Sequence, residues 1–256
     1  MIAQLPLALR WPRRQRFEHF HAGANAAAVA AVRKLALEPG APWVYLHGVS
    51  GSGRSHLLMA ACQAATADAV DADAVIPEHA TIAGGRRAQY LPLARFADPV
   101  AALRGSVGSE LLALDDLDAI AGHAEAEHAL FDLYNRSRAE GSALLFAAAD
   151  TPNHLGIALP DLRSRLGACI QFALKPLDDA ERRDVLTSQA VARGIQLDDS
   201  VLDWLFARYA RDLGALLDLL DRLDQASLAA QRRITIPFLR DVLREADSTP
   251  KPSPRD

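Results

Sequence analysis

The sequence has little cysteine and no long hydrophobic run. Its two cysteines, Cys62 and Cys169, lie far apart in a chain of 256 residues. This argues against a disulfide framework or a cysteine metal site and favours buried thiols in a reducing compartment. No apolar run approaches the roughly 18 residues that a membrane-spanning helix needs. At the N terminus the arginines follow the apolar stretch, the reverse of a signal peptide. We therefore expect a soluble, cytoplasmic protein without a membrane partner.

An excess of positive charge is also missing. The chain has 28 Lys and Arg against 32 Asp and Glu, a formal net charge of −4. Such an acidic balance argues against a protein that holds DNA mainly through a basic surface. Half of the residues are hydrophobic, which is ample for a packed core. A chain of this length forms one large domain or two modest ones.

The most informative segment is Gly48–Ser55, with the sequence Gly-Val-Ser-Gly-Ser-Gly-Arg-Ser. It follows the β-prone run Trp43–His47 and precedes a helical stretch, which is the context that a phosphate-binding loop requires. Its backbone N–H groups and the start of the following helix would face phosphate oxygens. The predicted nucleotide-binding residues here are Gly48, Gly51, Ser52, Gly53, Arg54, Ser55 and His56. The alternative is a glycine-rich turn without a ligand.

Arg54 stands where a phosphate-binding loop usually has lysine. The guanidinium keeps the positive charge but presents a broad planar fork in place of a compact ammonium. We therefore expect nucleotide binding to survive and the geometry for hydrolysis to suffer.

Strand and helix patterns alternate through the first two thirds of the chain, which predicts a parallel sheet. The predicted strands are Trp43–His47, Tyr90–Leu93, Glu110–Asp115, Ala143–Ala149 and Cys169–Leu174. One predicted helix spans Asn25–Leu37, with Asn25 as its N-cap, and another spans Ala124–Ala139. In the latter, one apolar face is predicted from Ala126, Ala129, Leu130, Leu133 and Tyr134.

Beyond Lys175-Pro176-Leu177 only helical periodicity appears. The predicted helices are Asp178–Arg193, Ser200–Arg208, Arg211–Ala230 and Ile236–Ala246. The predicted domains are a flexible arm at 1–16, an α/β domain at 17–175, a helical lid at 176–246 and a disordered tail at 247–256. The segment 67–87 has no assignment.

Two carboxylates end the apolar strand that precedes them, in Leu-Leu-Ala-Leu-Asp115-Asp116. In a parallel sheet this strand end lies near the phosphate-binding loop. With Ser55, Asp115 would hold Mg²⁺ and its waters, and Asp116 would polarise an attacking water. The alternative is a pair of acidic residues that start a turn. Asp116 is shorter than the usual glutamate, which predicts slow hydrolysis.

In the order of its motifs, the chain resembles the AAA+ ATPases and, among them, the bacterial initiator DnaA. The resemblance implies an α/β P-loop NTPase domain with a parallel five-stranded sheet and a small all-α lid. It assigns Phe20 to the adenine pocket, Asp150 to a sensor, Arg165 to the arginine finger and Arg211 to the lid sensor. The alternatives are a core aromatic for Phe20, a turn residue for Asp150, a surface charge for Arg165 and a local ion pair for Arg211.

The N-terminal peptide Gln4-Leu5-Pro6-Leu7-Ala8-Leu9 resembles the motif by which partners dock on the bacterial sliding clamp, the β subunit of DNA polymerase III. Leu5, Leu7 and Leu9 would enter an apolar cleft and Gln4 would bond at its edge. The alternative is a peptide that packs on its own domain. After Ala246 the chain turns proline-rich, so we expect no DNA-reading helix-turn-helix domain and no autonomous sequence-specific DNA binding.

Together these features resemble the DnaA-related regulatory inactivators. The resemblance implies a clamp-tethered protein that holds ADP or ATP and promotes hydrolysis of the ATP bound to DnaA, with Arg165 acting in trans. The protein's own ATP hydrolysis would be weak. The resemblance leaves open whether the chain forms a homo-oligomer. The alternatives are an autonomous AAA+ ATPase or helicase-loader-like enzyme, and an adaptor that needs no nucleotide.

Overall fold

The computed structural model describes residues 15–67, 85–209, 213–230 and 239. The chain divides into two compact units, Met1–Pro176 and Leu177–Asp256. The N-terminal arm, most of the unassigned 67–87 segment and the C-terminal tail lie outside the described residues.

The first unit alternates strands with helices, as predicted. Its strands are β1 (Val44–His47), β2 (Ala88–Pro92), β3 (Leu111–Asp115), β4 (Ala143–Ala148) and β5 (Ile170–Ala173). Its helices are α1 (Ala26–Leu37), α2 (Arg54–Ala67), α3 (Pro99–Gly105), α4 (Ala124–Glu140) and α5 (Pro160–Gly167). The five predicted strands are all present, with ends shifted by no more than two residues. The short helix α3 was not predicted.

The five strands form one parallel sheet in the order β2-β3-β4-β1-β5. The carboxyl ends of all strands therefore share one edge, which in open α/β sheets is the ligand-binding edge. The loop after β1 and the acidic pair at the end of β3 both lie there. His47 pairs with Ala148 in the register of β1 and β4, so the residues after these two strands are neighbours.

Two hydrophobic clusters cover the two faces of the sheet. Along β3, Leu111 and Ala113 join the cluster formed with α1 and α2, whereas Leu112 and Leu114 join the cluster formed with α3 and α4. This two-residue alternation of a fully buried strand explains its unbroken apolar sequence. The predicted face of α4 is confirmed, because all five of its residues are buried.

The start of α1 differs from the prediction. Asn25 precedes the helix but makes no side-chain cap bond. Instead, its Nδ2 donates to the Lys175 carbonyl at 2.9 Å and its Oδ1 accepts from the Lys175 N–H at 2.9 Å. The prediction of a side-chain cap was wrong because the backbone N–H and C=O of Lys175, 150 positions away, satisfy both ends of the amide. Asn25 thus fastens the start of α1 to Lys175, two residues after β5.

The second unit is helical. It contains α6 (Asp179–Ala192), α7 (Asp199–Tyr209) and α8 (Leu213–Ala230). Asp178 and Glu181 form a capping box at the start of α6. The apolar residues Leu216, Leu220 and Leu223 of α8 are buried. The last predicted helix, Ile236–Ala246, lies outside the described residues except for Leu239, which is buried. In the ranges described, no helix is long and apolar enough to cross a membrane.

Candidate functional site: a phosphate-binding loop and an acidic strand end

The glycines of the phosphate-binding loop are required by close approaches of other residues. A Cβ on Gly48 would lie 2.6 Å from the Leu174 carbonyl oxygen. Gly53 has a φ of +93°, and a Cβ there would lie 2.5 Å from Cε2 of Phe20. Gly51 lies at the exposed tip of the loop. The loop is therefore packed between the end of β5 and the Phe20 ring, and side chains at two of its glycines would break this packing.

Two polar atoms of the loop are buried without a hydrogen-bond partner among the described residues. They are Oγ of Ser52 and Nη1 of Arg54. Buried polar groups are almost always paired, so an orphaned pair calls for an explanation. Both atoms can donate, and both lie where the loop joins the N-terminal end of α2, an end that favours negative charge. These donors fit the oxygens of a di- or triphosphate.

An aromatic wall lies beside the loop. The Phe20 ring contacts the His56 ring edge-on, with 5.2 Å between ring centroids. Nε2 of His56 is 2.9 Å from the Arg16 carbonyl oxygen and donates to it. Burial lowers the pKa of His56, which keeps the ring neutral. Phe17 is a core residue, whereas Phe20 is only half-buried and faces Gly53.

The carboxylate of Asp115 is buried, and each of its two oxygens accepts one hydrogen bond. Its Oδ2 accepts from the Tyr90 hydroxyl at 2.7 Å and its Oδ1 accepts from the Asp116 N–H at 3.0 Å. Burial, and then Asp115, raise the pKa of Tyr90, so the phenol keeps its proton. The hydroxyl of Tyr90 thus connects β2 to the carboxylate at the end of β3.

Ser55 and Asp115 carry oxygen ligands of the kind that Mg²⁺ prefers. Each oxygen of Asp115 accepts one hydrogen bond, which leaves further lone pairs on the carboxylate. No group of three or more His, Cys, Asp or Glu residues in the described part of the chain could hold a metal ion. Ser55 and Asp115 would hold Mg²⁺ and its waters together with the oxygens of a bound nucleotide.

Asp116 has an unusual backbone. Among the described residues it is the only non-glycine residue with a positive φ, at 58°. Burial, and then the neighbouring Asp115, raise its pKa, while Arg54 acts in the opposite direction. Asp116 therefore lies within the electrostatic reach of the phosphate-binding loop, in a left-handed conformation that costs an L-residue about 1–2 kcal/mol.

Asp150 makes local contacts at the end of β4. Its exposed carboxylate accepts from the Thr151 N–H at 2.7 Å, and its carbonyl accepts from the Tyr45 hydroxyl at 2.8 Å. These are the contacts of a turn residue, the alternative that the sequence left open. Nearby, the carboxylate of Asp118 accepts from the Ala149 N–H and joins the ends of β3 and β4.

The two arginines of α5 differ in their surroundings. Nη1 of Arg163 donates to the Ile157 carbonyl at 3.0 Å, so this side chain holds the preceding loop. Arg165 is exposed, and its guanidinium lies 5.9 Å from the centre of the Tyr134 ring. Within the described ranges Arg165 forms no salt bridge. Of the two, Arg165 is the arginine available to a partner.

Sequence reasoning missed Glu127, which fixes the start of α5. Its fully buried carboxylate accepts from the backbone N–H groups of Gly122, Ala158 and Leu159 at 2.7, 3.0 and 2.7 Å. Burial alone would raise the pKa of Glu127, but the three donors outweigh it and the pKa is lowered. The sequence did indicate that this carboxylate is buried. Glu127 lies three positions before Leu130, so helical spacing places it on the apolar face of α4.

The remaining predicted residues lie outside the described residues. They are Arg211 in the second unit and the peptide residues Gln4, Leu5, Leu7 and Leu9. The structure thus brings together Phe20, the phosphate-binding loop, Asp115 and Asp116 at one edge of the sheet, with Asp150 at the end of a neighbouring strand.

Comparison with known proteins agrees with this architecture. A family model described as the bacterial DnaA ATPase domain matches residues 12–173, and one described as the lid domain of Hda matches residues 179–243. An uncharacterized protein of Haemophilus influenzae is 36% identical over 245 residues, covering 95% of this chain and 99% of that protein.

Solved structures of DnaA have the same fold. Domain III of the Thermotoga maritima replication initiation protein DnaA has a TM-score of 0.68 at 18% identity, covering 93% of this chain and 99% of that chain. AMPPCP-bound DnaA from Aquifex aeolicus has a TM-score of 0.65 at 18% identity, covering 93% of this chain and 71% of that chain. The predicted fold is confirmed: the chain belongs to the bacterial DnaA ATPase domain family of AAA+ proteins and carries an Hda-type lid.

Proposed function

We propose that this chain is a negative regulator of replication initiation, which binds a nucleotide, is tethered to the sliding clamp and stimulates hydrolysis of the ATP bound to the initiator DnaA. The observation that carries the proposal is the combination, in one chain, of a DnaA-type ATPase domain and an Hda-type lid. AAA+ subunits stack on one another, so a chain with the same ATPase fold as the initiator is suited to pair with it.

The phosphate-binding loop supports the nucleotide part of the proposal. Ser52 and Arg54 each present a buried donor without a protein partner, and the half-buried Phe20 lies beside them to contact a base. The nucleotide is ADP or ATP, in keeping with the AMPPCP bound by the Aquifex aeolicus DnaA. Arg54 in place of lysine and the left-handed Asp116 favour retention of the nucleotide over its turnover.

Arg165 supports the activating part of the proposal. An arginine that reaches the γ-phosphate of a neighbouring ATPase stabilises the charge of the transition state and contributes about 10³–10⁵ in rate. Arg165 is exposed on a helix whose start is fixed by the buried Glu127. This combination suits a finger, because the guanidinium is exposed without a salt bridge among the described residues and Glu127 holds the backbone before its helix.

The clamp part of the proposal rests on the peptide Gln4–Leu9. Surface plasmon resonance of the full chain on immobilised clamp tests it, with Leu7 and Leu9 both changed to Ala. We expect the variant to lose binding at least tenfold, because two apolar anchors are removed. Ile2→Ala, in the same arm but outside the peptide, is the matched control. Equal binding by the double variant and the parent would reject clamp docking through this peptide.

A reconstituted assay tests the whole proposal. ATP-loaded initiator, clamp loaded on DNA, and this chain are combined, and each component is then omitted in turn. We expect rapid loss of initiator-bound ATP only in the complete mixture. Equal hydrolysis without this chain would refute the regulatory role.

Two further results would favour a different function for this chain. Steady-state turnover by the isolated chain, abolished by Asp115→Ala, would favour the autonomous ATPase. Absence of any affinity for ADP or ATP would favour an adaptor that needs no nucleotide.

A further inference from the structure

The ring of Tyr134 lies against the arginine that the proposed function makes the finger. We propose that Tyr134 is a positioning residue for Arg165, which holds the guanidinium ready at the surface without taking up the N–H groups that would bind a phosphate. This role rests on the proposed function, because it concerns how Arg165 reaches the ATP of the initiator. Tyr134 would act only through Arg165.

Tyr134 contacts Arg165 in two ways. The guanidinium carbon of Arg165 lies over the Tyr134 ring, 5.9 Å from its centroid, within the roughly 6 Å at which an aromatic face attracts a cation. The Tyr134 hydroxyl also donates to the Arg165 carbonyl, at 3.4 Å. One side chain of α4 therefore meets both the backbone and the charged end of a residue on α5.

The Tyr134 ring is itself held in place by the core. It is only 3% exposed. The ring of Trp43, just before β1, meets it edge-on with 4.6 Å between centroids, and the ring of Phe146 in β4 lies nearly parallel to it at 6.4 Å. Because close packing in a core leaves a large ring little room to move, the face that Tyr134 offers to Arg165 is fixed relative to the sheet.

A cation–π contact suits an arginine finger better than a salt bridge does. A carboxylate would accept hydrogen bonds from the guanidinium, and these bonds would have to break before the group could bind a phosphate. An aromatic face attracts the cation through the ring quadrupole instead. Among the residues that the structure describes, Arg165 forms no salt bridge. Its donors stay available, and the ring limits the rotamer freedom that a long side chain loses on binding.

The test is single-turnover hydrolysis of initiator-bound ATP at increasing concentrations of this chain, with DNA-loaded clamp present. In Tyr134→Met the ring is replaced by a flexible side chain that adapts to the space. We expect the rate constant at saturation to fall about two- to fivefold, the effect of one cation–π contact at an exposed site. The concentration for half-maximal stimulation should not change, since the buried ring offers no surface to the initiator.

Two control variants separate the ring from its surroundings. Tyr134→Phe keeps the aromatic face and loses only the long bond to the Arg165 carbonyl, so it should retain most of the stimulation. Phe131→Met removes a ring three residues earlier on α4 that packs against the same core, with no described arginine over it. We expect Phe131→Met to stimulate like the parent. Equal losses in Phe131→Met and Tyr134→Met would reflect a general loosening of α4 and overturn the inference.

A double-mutant cycle checks the contact in the chain alone. Urea unfolding is measured for Tyr134→Met, for Arg165→Ala and for the double variant. We expect a coupling of about two- to fivefold in the unfolding constant, and additive effects would overturn the inference.

NMR of the parent decides the matter if Tyr134→Met fails to fold. The side-chain proton signals of Arg165, assigned by their loss in Arg165→Lys, should be displaced upfield by the ring relative to the urea-unfolded chain. Signals at their unfolded positions would overturn the inference.

The remaining outcomes separate this role from the proposed function. If Tyr134→Met stimulates as well as the parent while Arg165→Ala does not, Tyr134 loses the positioning role and the proposed function stands. If Tyr134→Met raises only the half-maximal concentration, the ring shapes the binding surface, and the positioning role is again overturned. If the parent itself gives no stimulation, the proposed function is refuted, and the positioning role with it.

Discussion

The buried carboxylate of Glu127 offers a sharp test of how α5 is held. It accepts three backbone N–H groups, from Gly122 and Ala158 on Oε1 and from Leu159 on Oε2. In Glu127→Gln the amide has one oxygen and one NH₂ group. If the oxygen takes the position of Oε1, the NH₂ group faces the Leu159 N–H, and donor then meets donor.

The cost follows from counting these bonds. One charge-assisted bond is lost with its backbone donor left buried, at about 1.5–3 kcal/mol. The other two change from charged to neutral, at about 0.5–1 kcal/mol each. We therefore expect Glu127→Gln to lower the free energy of unfolding of the first unit by about 2.5–5 kcal/mol at pH 7. Urea unfolding, with hydrogen exchange of peptides from α4 and α5, measures the change.

The pH dependence gives the same test a second readout. The folded pKa of Glu127 lies below its unfolded value. The stabilisation is therefore complete above the unfolded pKa and is lost as the pH falls through the folded one. The difference between parent and variant should shrink as the pH drops below about 4.

Glu125→Gln is the matched control. Glu125 lies on the same helix, but it is 71% exposed and makes a surface salt bridge with Arg104 at 3.2 Å. We expect a change below about 1 kcal/mol. A Glu127→Gln variant as stable as this control would refute the bond count.

Three further changes test single features of the site. Asp116→Asn should raise the melting temperature at pH 7, because the raised pKa means that the ionised carboxylate destabilises the fold; the gain should be lost as the pH falls through that pKa to below the unfolded value. Gly53→Ala should cost about 2–4 kcal/mol in urea unfolding from strain and the clash with Phe20, whereas Gly122→Ala, with a φ of +80° in open space, should cost only the strain of about 1–2 kcal/mol. Asn25→Ala should lower stability by about 1–3 kcal/mol, because both bonds to the backbone after β5 are lost.

The sheet and the phosphate-binding loop were predictable because their signals are local. Unbroken apolar runs mark β3 and β4, and a glycine-rich loop between a strand and a helix marks the start of α2. The parallel arrangement then follows from alternation alone. These features depend on residues that are near each other in the chain, and sequence patterns report such neighbours well.

The bonds that shape the site were not predictable in the same way. Tyr90 and Asp115 are 25 positions apart, Glu127 and Leu159 are 32 apart, and Asn25 and Lys175 are 150 apart. Each bond exists only after the sheet has brought its two ends together. The wrong cap assignment for Asn25 has this origin, because a local rule was applied to a side chain with a distant partner.

Single-turnover hydrolysis of initiator-bound ATP directly measures whether Arg165 of this chain stimulates the initiator's ATPase. The assay compares the parent chain with Arg165→Ala and with Arg163→Ala, in the presence of DNA-loaded clamp. Since Arg165 is exposed and Arg163 is anchored to Ile157, the account predicts a loss of about 10³-fold or more for Arg165→Ala. Arg163→Ala should lose far less. Full stimulation of hydrolysis by Arg165→Ala would exclude Arg165 as the arginine finger.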